Sequence, residues 1–489
     1  MKPAGRTVTV SHLGRVEGHG GIFVKIVGDV VHEVNMDIFE GSRYYEALLK
    51  GKHFLEVQGI ITRVCAICSA SHTVAALTAL EKALGIEQSD RVHQLRGLLV
   101  LGATVESHAL HVFALALPDF LGHDSVLSMA STHPAEVAFA LKLKQIGNRM
   151  QALIGGRAIH PINTLVGGFG QLPRPEALRR VRDDLQGALD PLMRTVDLCA
   201  TLEVPGWASQ PTVYVALKPY EEAFRFRGDV LCTSRGEEYP VEQYKDVVRE
   251  YTVEHSHAKH SALASGETYM VGSLARLKLW SHYLQGRALE AFEKLFPKGV
   301  VDNVLLNTWA QLVELVHSVE QGVTVCDRLL GMPAAEAEMV EYDVRPGRGV
   351  GALEVPRGTL FHEYELDADG RVVSANVITP TAQNLANVER DMRQAVEQML
   401  ALDKGIAEPK LKLGLEMVAR AYDPCISCSV HVVREREGAD GRPRRRLRQR
   451  PRRGRRLRPG RRPPPAAGGR AAGRRGRRRL AAAAVPVEG

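Results

Sequence analysis

Two Cys-x-x-Cys pairs, Cys65/Cys68 in RVCAICSASH and Cys425/Cys428 in DPCISCSVH, stand near opposite ends of the sequence. A turn over two intervening residues brings both sulfurs of a pair to one side, so each pair can grip a soft metal ion. Brought together, the four would make a tetrathiolate centre. Spacing alone does not name the metal, and a structural zinc staple is the ordinary meaning of four cysteines. Two features point elsewhere. Zinc staples small modules that lack a core, whereas a chain of 489 residues builds a core unaided. Each pair is also followed by a histidine at a similar offset, His72 after Cys68 and His431 after Cys428, with Arg63 before the first pair and Asp423-Pro424 before the second.

These two stretches resemble the signatures of the large subunit of nickel-iron hydrogenases, an early R-x-C-G-x-C-x-x-x-H and a late D-P-C-x-x-C-x-x-H. The resemblance runs through most of residues 8 to 431, with one departure: the family glycine between the early cysteines is Ala66, so the turn there must tolerate a Cβ. It implies that Cys65 and Cys425 are terminal ligands on nickel, and that Cys68 and Cys428 bridge nickel to an iron carrying carbon monoxide and cyanide. H2 would be cleaved heterolytically there, with a cysteine sulfur as first base. Glu17, in Arg15-Val16-Glu17-Gly18-His19, matches the R-x-E-G-H motif whose glutamate relays the proton. Taken alone, a glutamate in a Gly-rich turn reads as a solvated loop residue.

Further roles come from the same resemblance. Glu46 stands where the family places a carboxylate that binds a buried magnesium, together with the final histidine, here His431, and a backbone carbonyl near Val377. Carboxylate and carbonyl suit that hard cation, and the histidine is the less expected ligand. Without the match Glu46 reads as a helix-surface acid. Arg357 corresponds to an arginine above the open metal positions that contacts cyanide and orients Asp423; Thr381, after Pro380, would donate to the other cyanide, and His72 to the Cys68 sulfur. His108 and His111, on a helix with Glu106, read as core or supporting residues, because Ser107 stands where the family has a further aspartate.

The elements that must position these groups are mainly helical. The N-terminal stretch alternates through Thr7–Val10, Ile22–Val27 and Val30–Ile38 with a turn at Gly28-Asp29, which reads as a small antiparallel sheet. A second hairpin is expected from Thr359 to Val377, turning at Asp369-Gly370. Between them the apolar spacing is helical: a helix capped by Ser89, another opened by Thr132 and Pro134 and stopped near Gly155-Gly156, and further helices around 174 to 200, 273 to 296, 303 to 331, 383 to 402 and 411 to 421. The fold class is mainly α within α+β, a bundle of long helices with small antiparallel sheet elements at its edge. The catalytic domain is expected to span 1–431.

The net charge of +8 misleads. Residues 432–489 carry 21 arginines against four acids, a net of +17, which leaves the preceding 431 residues at −9. This Arg/Pro/Gly-rich extension has too little apolar surface to offset its chain entropy and is expected to be disordered. It lacks the interleaved aromatics of a single-strand nucleic-acid binder. The resemblance implies its removal after His431 by a maturation protease once nickel chaperones have loaded the metal; its monotony also fits out-of-frame coding.

Seven cysteines, three of them outside the pairs, fit a reducing compartment. The N-terminus has no apolar signal segment, and no window reaches about 18 uninterrupted apolar residues, so a cytoplasmic chain without a membrane segment is expected. Gly167-Gly168-Phe169-Gly170 lacks the strand-to-helix context of a nucleotide loop. The spare cysteines are also too few for iron-sulfur clusters. Electrons must therefore leave through an iron-sulfur small subunit, and Pro118-Asp119-Phe120-Leu121 looks most like the branch that reduces NAD(P) or a related carrier through diaphorase or other electron-transfer subunits. Two other classes stand beside this reading. The complex I quinone-site subunit shares the fold but lacks the four cysteines. A zinc-stapled protein with a nucleic-acid arm predicts zinc and salt-sensitive binding.

Overall fold

Alternation of apolar and polar residues shapes the N-terminal end. Val8 and Val10, then Ile22, Val24 and Ile26, then Val31, Val34, Met36 and Ile38 all turn inward, from the strands Gly5–Val10, Gly20–Val27 and Val30–Ile38 of one antiparallel sheet. The Arg15-to-His19 motif is the connection between the first two strands, held at the sheet's edge. A computed structural model describes residues 5–41 and 44–430 of the protein. These lie in one compact unit, Met1–Val433. His431 and the expected 432–489 extension lie outside the described residues.

Long helices fill the centre. Asp90–Ala109, whose N-cap Ser89 accepts from the Val92 N–H at 3.3 Å, packs along Pro134–Gly155 and Asn307–Leu330. By length and composition the run Asp90–Phe120 could cross a membrane, but 83% of its most apolar window is buried within this protein, the signature of a core helix. Its last part, Leu110–Ala116, widens into a π-helix that carries His111.

A second antiparallel sheet, Gly347–Val355, Gly358–Leu366 and Val372–Ile378, lies on the Ser69–Leu84 helix. The contact is possible because glycines at every second strand position face alanines at every fourth helix position. A Cβ on Gly349 would stand 2.0 Å from the Ala79 carbonyl, and one on Gly351 2.3 Å from that of Ala75. Helix and strand therefore meet backbone to backbone. This close seat fixes the helix whose N-cap is Cys68.

The expected hairpin turning at Asp369-Gly370 is present and gains a third strand, Gly347–Val355, that the sequence pattern did not reveal. Two of the expected helical spans are broken: 174 to 200 divides into Pro175–Gln186 and Leu189–Ala200, and 273 to 296 into Ser273–Trp280 and Gly286–Leu295. Between residues 213 and 270 the chain forms short strands, Tyr269–Met270, Val213–Leu217, Val230–Thr233 and Glu238–Pro240 in that order, beside a hairpin of Val248–Tyr251 with His260–Leu263. Such strands of two to five residues pair with distant partners and leave little periodicity to read.

Candidate metal centre

The two cysteine pairs meet. Cys65 and Cys68 sit in the turn between Phe54–Ile61 and Ser69–Leu84, while Cys425 and Cys428 flank and join the short helix Ile426–Ser429. All four sulfurs lie within 4.8 Å of one another and are buried. Cys425 Sγ is 2.6 Å from that of Cys428, 3.3 Å from that of Cys65 and 3.8 Å from that of Cys68. Ala66 is outside the positive-φ residues, so the turn takes its Cβ without strain.

The donor set fits a cationic metal group. Hydrogen bonds from Cys425, Cys428 and Cys68 hold the Cys65 thiol far below the ordinary range, whereas burial pushes Cys425 and Cys428 well above it. Four sulfurs crowded in a dry site gather negative charge readily only when positive charge is brought among them. Burial likewise raises the three cysteines outside the centre, Cys232 to about 11, Cys326 to about 12, and Cys199 in the same direction.

Arg357 is the cation already in place. It is 5% exposed and its guanidinium makes three contacts: Nη1 donates to Cys68 Sγ at 3.3 Å, Nε to the Asp423 carbonyl at 2.6 Å, and Nη2 to Asp423 Oδ1 at 3.0 Å. Asp423 also accepts from Gln311 Nε2 at 3.1 Å. This grip holds Asp423 at φ 48°, a left-handed conformation uncommon for a residue other than glycine, just before the Pro424-Cys425 step. Thr381, in the first turn of the Pro380–Leu402 helix, accepts from the Cys425 N–H at 3.0 Å and keeps its own hydroxyl proton to donate.

Glu17 reaches the centre from the opposite side. Its Oε2 accepts from Cys425 Sγ at 3.3 Å and from the Ser427 N–H at 3.0 Å; the Ser427 hydroxyl donates to Oε1. Gly18, at φ 89°, permits the approach, since a Cβ there would stand 2.7 Å from that of Ile426. Arg15 anchors the same loop by donating to the Leu115 carbonyl at 2.9 Å and pairing with Asp119, which also receives Arg420 Nε at 2.8 Å. Asp119 of the Pro118–Leu121 segment is thus a structural anchor for the Glu17 loop.

Glu46 and Val377 are adjacent: the Val377 N–H donates to Glu46 Oε1 at 2.9 Å. The third expected magnesium ligand, His431, lies outside the described residues, though Val430 before it pairs with Ala258. The hydrogen bond expected from His72 to the Cys68 sulfur is replaced by another. His72 Nδ1 pairs with His362 Nε2 at 3.0 Å, and His362 Nδ1 with the Tyr364 hydroxyl at 2.7 Å. The sulfur takes its side-chain donor from Arg357 instead. Burial lowers His72 to about 4 and His362 well below the ordinary imidazole value, so both rings are neutral near pH 7.

Beneath the centre lies a polar core that the sequence motifs did not announce. His108 Nε2 meets Glu314 at 3.0 Å and His111 meets Gln311, two i,i+3 pairs facing each other across neighbouring helices. Arg276 joins Glu314 at 2.6 Å and Glu354 at 2.7 Å, all three at most 1% exposed. Burial pushes Glu314 up, but Arg276 and His108 hold it down to about 2. Its folded value is below its unfolded 4.5, so its stabilisation is full above that pH and is lost as pH falls towards 2. Arg276→Met strands two buried carboxylates and is expected to cost about 3–5 kcal/mol, read as a lowered denaturant midpoint at pH 7.

The family comparison agrees with this geometry. The sequence model of the family described as Nickel-dependent hydrogenase matches residues 43–142 and 267–431, which include all four cysteines. The chain belongs to the nickel-dependent hydrogenase family. It is 41% identical to sulfhydrogenase 1 subunit alpha of Pyrococcus furiosus over 437 residues, 89% of this chain and 100% of that protein. With the NAD-reducing hydrogenase HoxS subunit beta of Cupriavidus necator it shares 27% identity over 88% of this chain and 95% of that one. Among solved structures, an NAD+-reducing [NiFe]-hydrogenase in the H2-reduced state superposes with a TM-score of 0.76 at 26% identity, covering 87% of this chain and 99% of that one. The [NiFeSe]-hydrogenase of Dm. baculatum shares the fold at a TM-score of 0.71 and 19% identity, covering 88% and 100%. The enzyme is accordingly an oxidoreductase acting on H2, a catalytic hydrogenase subunit, in a mixed fold of long helices and small sheets.

Proposed function

We propose that this hydrogenase splits H2 reversibly into protons and electrons at a nickel-iron pair held by Cys65, Cys68, Cys425 and Cys428, with carbon monoxide and cyanide on the iron. The observation that carries the reading is the convergence of four buried sulfurs between a buried guanidinium and a carboxylate. When bound, the metal pair supplies the Lewis acidity and redox capacity that polarise H2. The chain's own groups do the rest. Cys425 Sγ holds the released proton and passes it 3.3 Å to Glu17 Oε2, which Ser427 keeps aimed at the sulfur. Arg357, orienting Asp423, keeps a donor on the Cys68 sulfur and, with the Thr381 hydroxyl, would supply hydrogen-bond donors to the cyanides of the bound metal group. Glu46, the Val377 carbonyl and His431 hold magnesium, and His72 with His362 and Tyr364 supports the Cys68 turn.

Electrons leave through an iron-sulfur small subunit and, through diaphorase or other electron-transfer subunits, reach NAD(P) or a similar carrier in the cytoplasm. Relatives named NAD-reducing support this branch. The test is H2-dependent reduction of NAD+ or NADP+ by the complex purified from its host: turnover with either supports the branch, and H2 uptake with artificial dyes alone argues against it.

Maturation completes the reading. Residues 432–489, at a net +17, could not follow His431 to a buried magnesium. The mature catalytic domain therefore ends at His431, after cleavage by a protease that acts once nickel chaperones have delivered the metal. Intact-mass measurement on active enzyme is expected to give a chain ending there; an active, nickel-loaded subunit retaining residues 432 to 489 refutes it.

A further inference from the structure

Away from the cysteines, a second group of metal-binding side chains converges. His255, in the loop after Val248–Tyr251, and His260, which opens the strand His260–Leu263, both face Glu389 on the Pro380–Leu402 helix. One ligand atom from each lies within 4.8 Å of the others. His255 Nε2 is 2.7 Å from Glu389 Oε1, and His260 Nε2 is 3.4 Å from the same oxygen, which also accepts from the Met36 N–H at 2.8 Å.

A plain ion pair leaves part of this arrangement unexplained. His255 and Glu389 satisfy each other, but His260 is 1% exposed, its Nδ1 has no partner among the described residues, and its Nε2 has only the long 3.4 Å approach to Glu389 in place of a well-formed hydrogen bond. A buried imidazole normally finds partners for both nitrogens, and one so poorly paired leaves a position for a ligand. A metal ion drawn to the shared carboxylate would bond one of those nitrogens. His255 and Glu389 keep side-chain exposures of 27% and 18%, enough to give an ion a path in and to leave water in an open position. Two imidazoles and one carboxylate are borderline donors: they suit a zinc-class divalent cation, whereas magnesium and calcium want oxygen throughout and cuprous copper wants sulfur.

We propose that His255, His260 and Glu389 form a further metal site, separate from the cysteine centre and from the Glu46 site, that binds one zinc-class divalent cation. The ion ties the 252–259 loop to the long helix. Ala258 of that loop pairs with Val430, so the bound cation steadies the seat of the segment carrying Cys425 and Cys428.

The test uses holoenzyme with its nickel and iron in place, stripped of loosely held ions by a chelator and kept in magnesium. It is titrated with Zn2+ by calorimetry and with Co2+ by visible absorption. One equivalent of each is expected to bind, the cobalt with weak ligand-field bands and no thiolate charge-transfer band. His255→Ala and Glu389→Gln should each weaken binding at least about tenfold with nickel and iron contents unchanged. Absence of uptake by the unmodified enzyme, a thiolate band, or unaltered affinity in both variants overturns the proposal. The first two of these outcomes are read on the unmodified enzyme alone, whatever the stability of the variants.

Discussion

Replacing Cys425 by serine is expected to reduce hydrogen turnover to background. Cys425 is the hub of the sulfur cluster, 1% exposed and within 3.8 Å of the other three sulfurs, and the sulfur nearest Glu17. Serine preserves the shape but offers an alcohol that stays protonated and is a poor donor to nickel, so the variant should lose both the proposed metal ligand and the proposed first proton acceptor. Serine at Cys65, Cys68 or Cys428 should have the same outcome through loss of the ligand alone. The check is H2 oxidation by purified complex beside its nickel and iron content. Near-native activity in any of the four variants removes that sulfur from the site.

Glu17→Gln is expected to separate proton movement from metal binding. The amide keeps the side chain's shape and can still accept from the Ser427 N–H, but it cannot take a proton from Cys425 and release it. Exchange of H2 with solvent deuterium should fall by about 10²–10⁴-fold while nickel and iron contents stay at the native level. Normal exchange would mean that the proton leaves by another route. Arg15, which pins the same loop to Asp119 and Leu115, is a positioning residue by this account.

Much of this site was legible in the sequence because its chemistry is concentrated in short, ordered motifs. Cys-x-x-Cys pairs with flanking Arg, Asp-Pro and His carry the family resemblance locally, and so does the Arg15-to-His19 motif, although Glu17 taken alone reads as a solvated loop residue. The long helices were legible for a similar reason, since periodic apolar residues and caps such as Ser89 are local signals. What stayed hidden is set by long-range pairing. His362 and Tyr364 lie on one face of a strand otherwise read as half of a hairpin; their i,i+2 spacing was the available signal, but its meaning depends on His72 nearly 300 residues earlier. Glu314 and Gln311 interrupt an apolar helix at i,i+3, and that break from the pattern matches His108 and His111, though only the fold sets the pairs opposite each other. The glycines at 347, 349 and 351 carry no local strand signal, and their spacing has a meaning only against the alanine face of the Ser69–Leu84 helix.

The four converging cysteines are expected to hold nickel and iron together. Metal quantification with infrared spectroscopy on the complex purified without air tests it most directly. One nickel and one iron per catalytic subunit beyond the iron of the partner's clusters, with absorption bands of carbon monoxide and cyanide that vanish when Cys68 or Cys428 is replaced by serine, is the predicted result. Zinc in place of nickel, or a spectrum without those bands in active enzyme, would contradict the account.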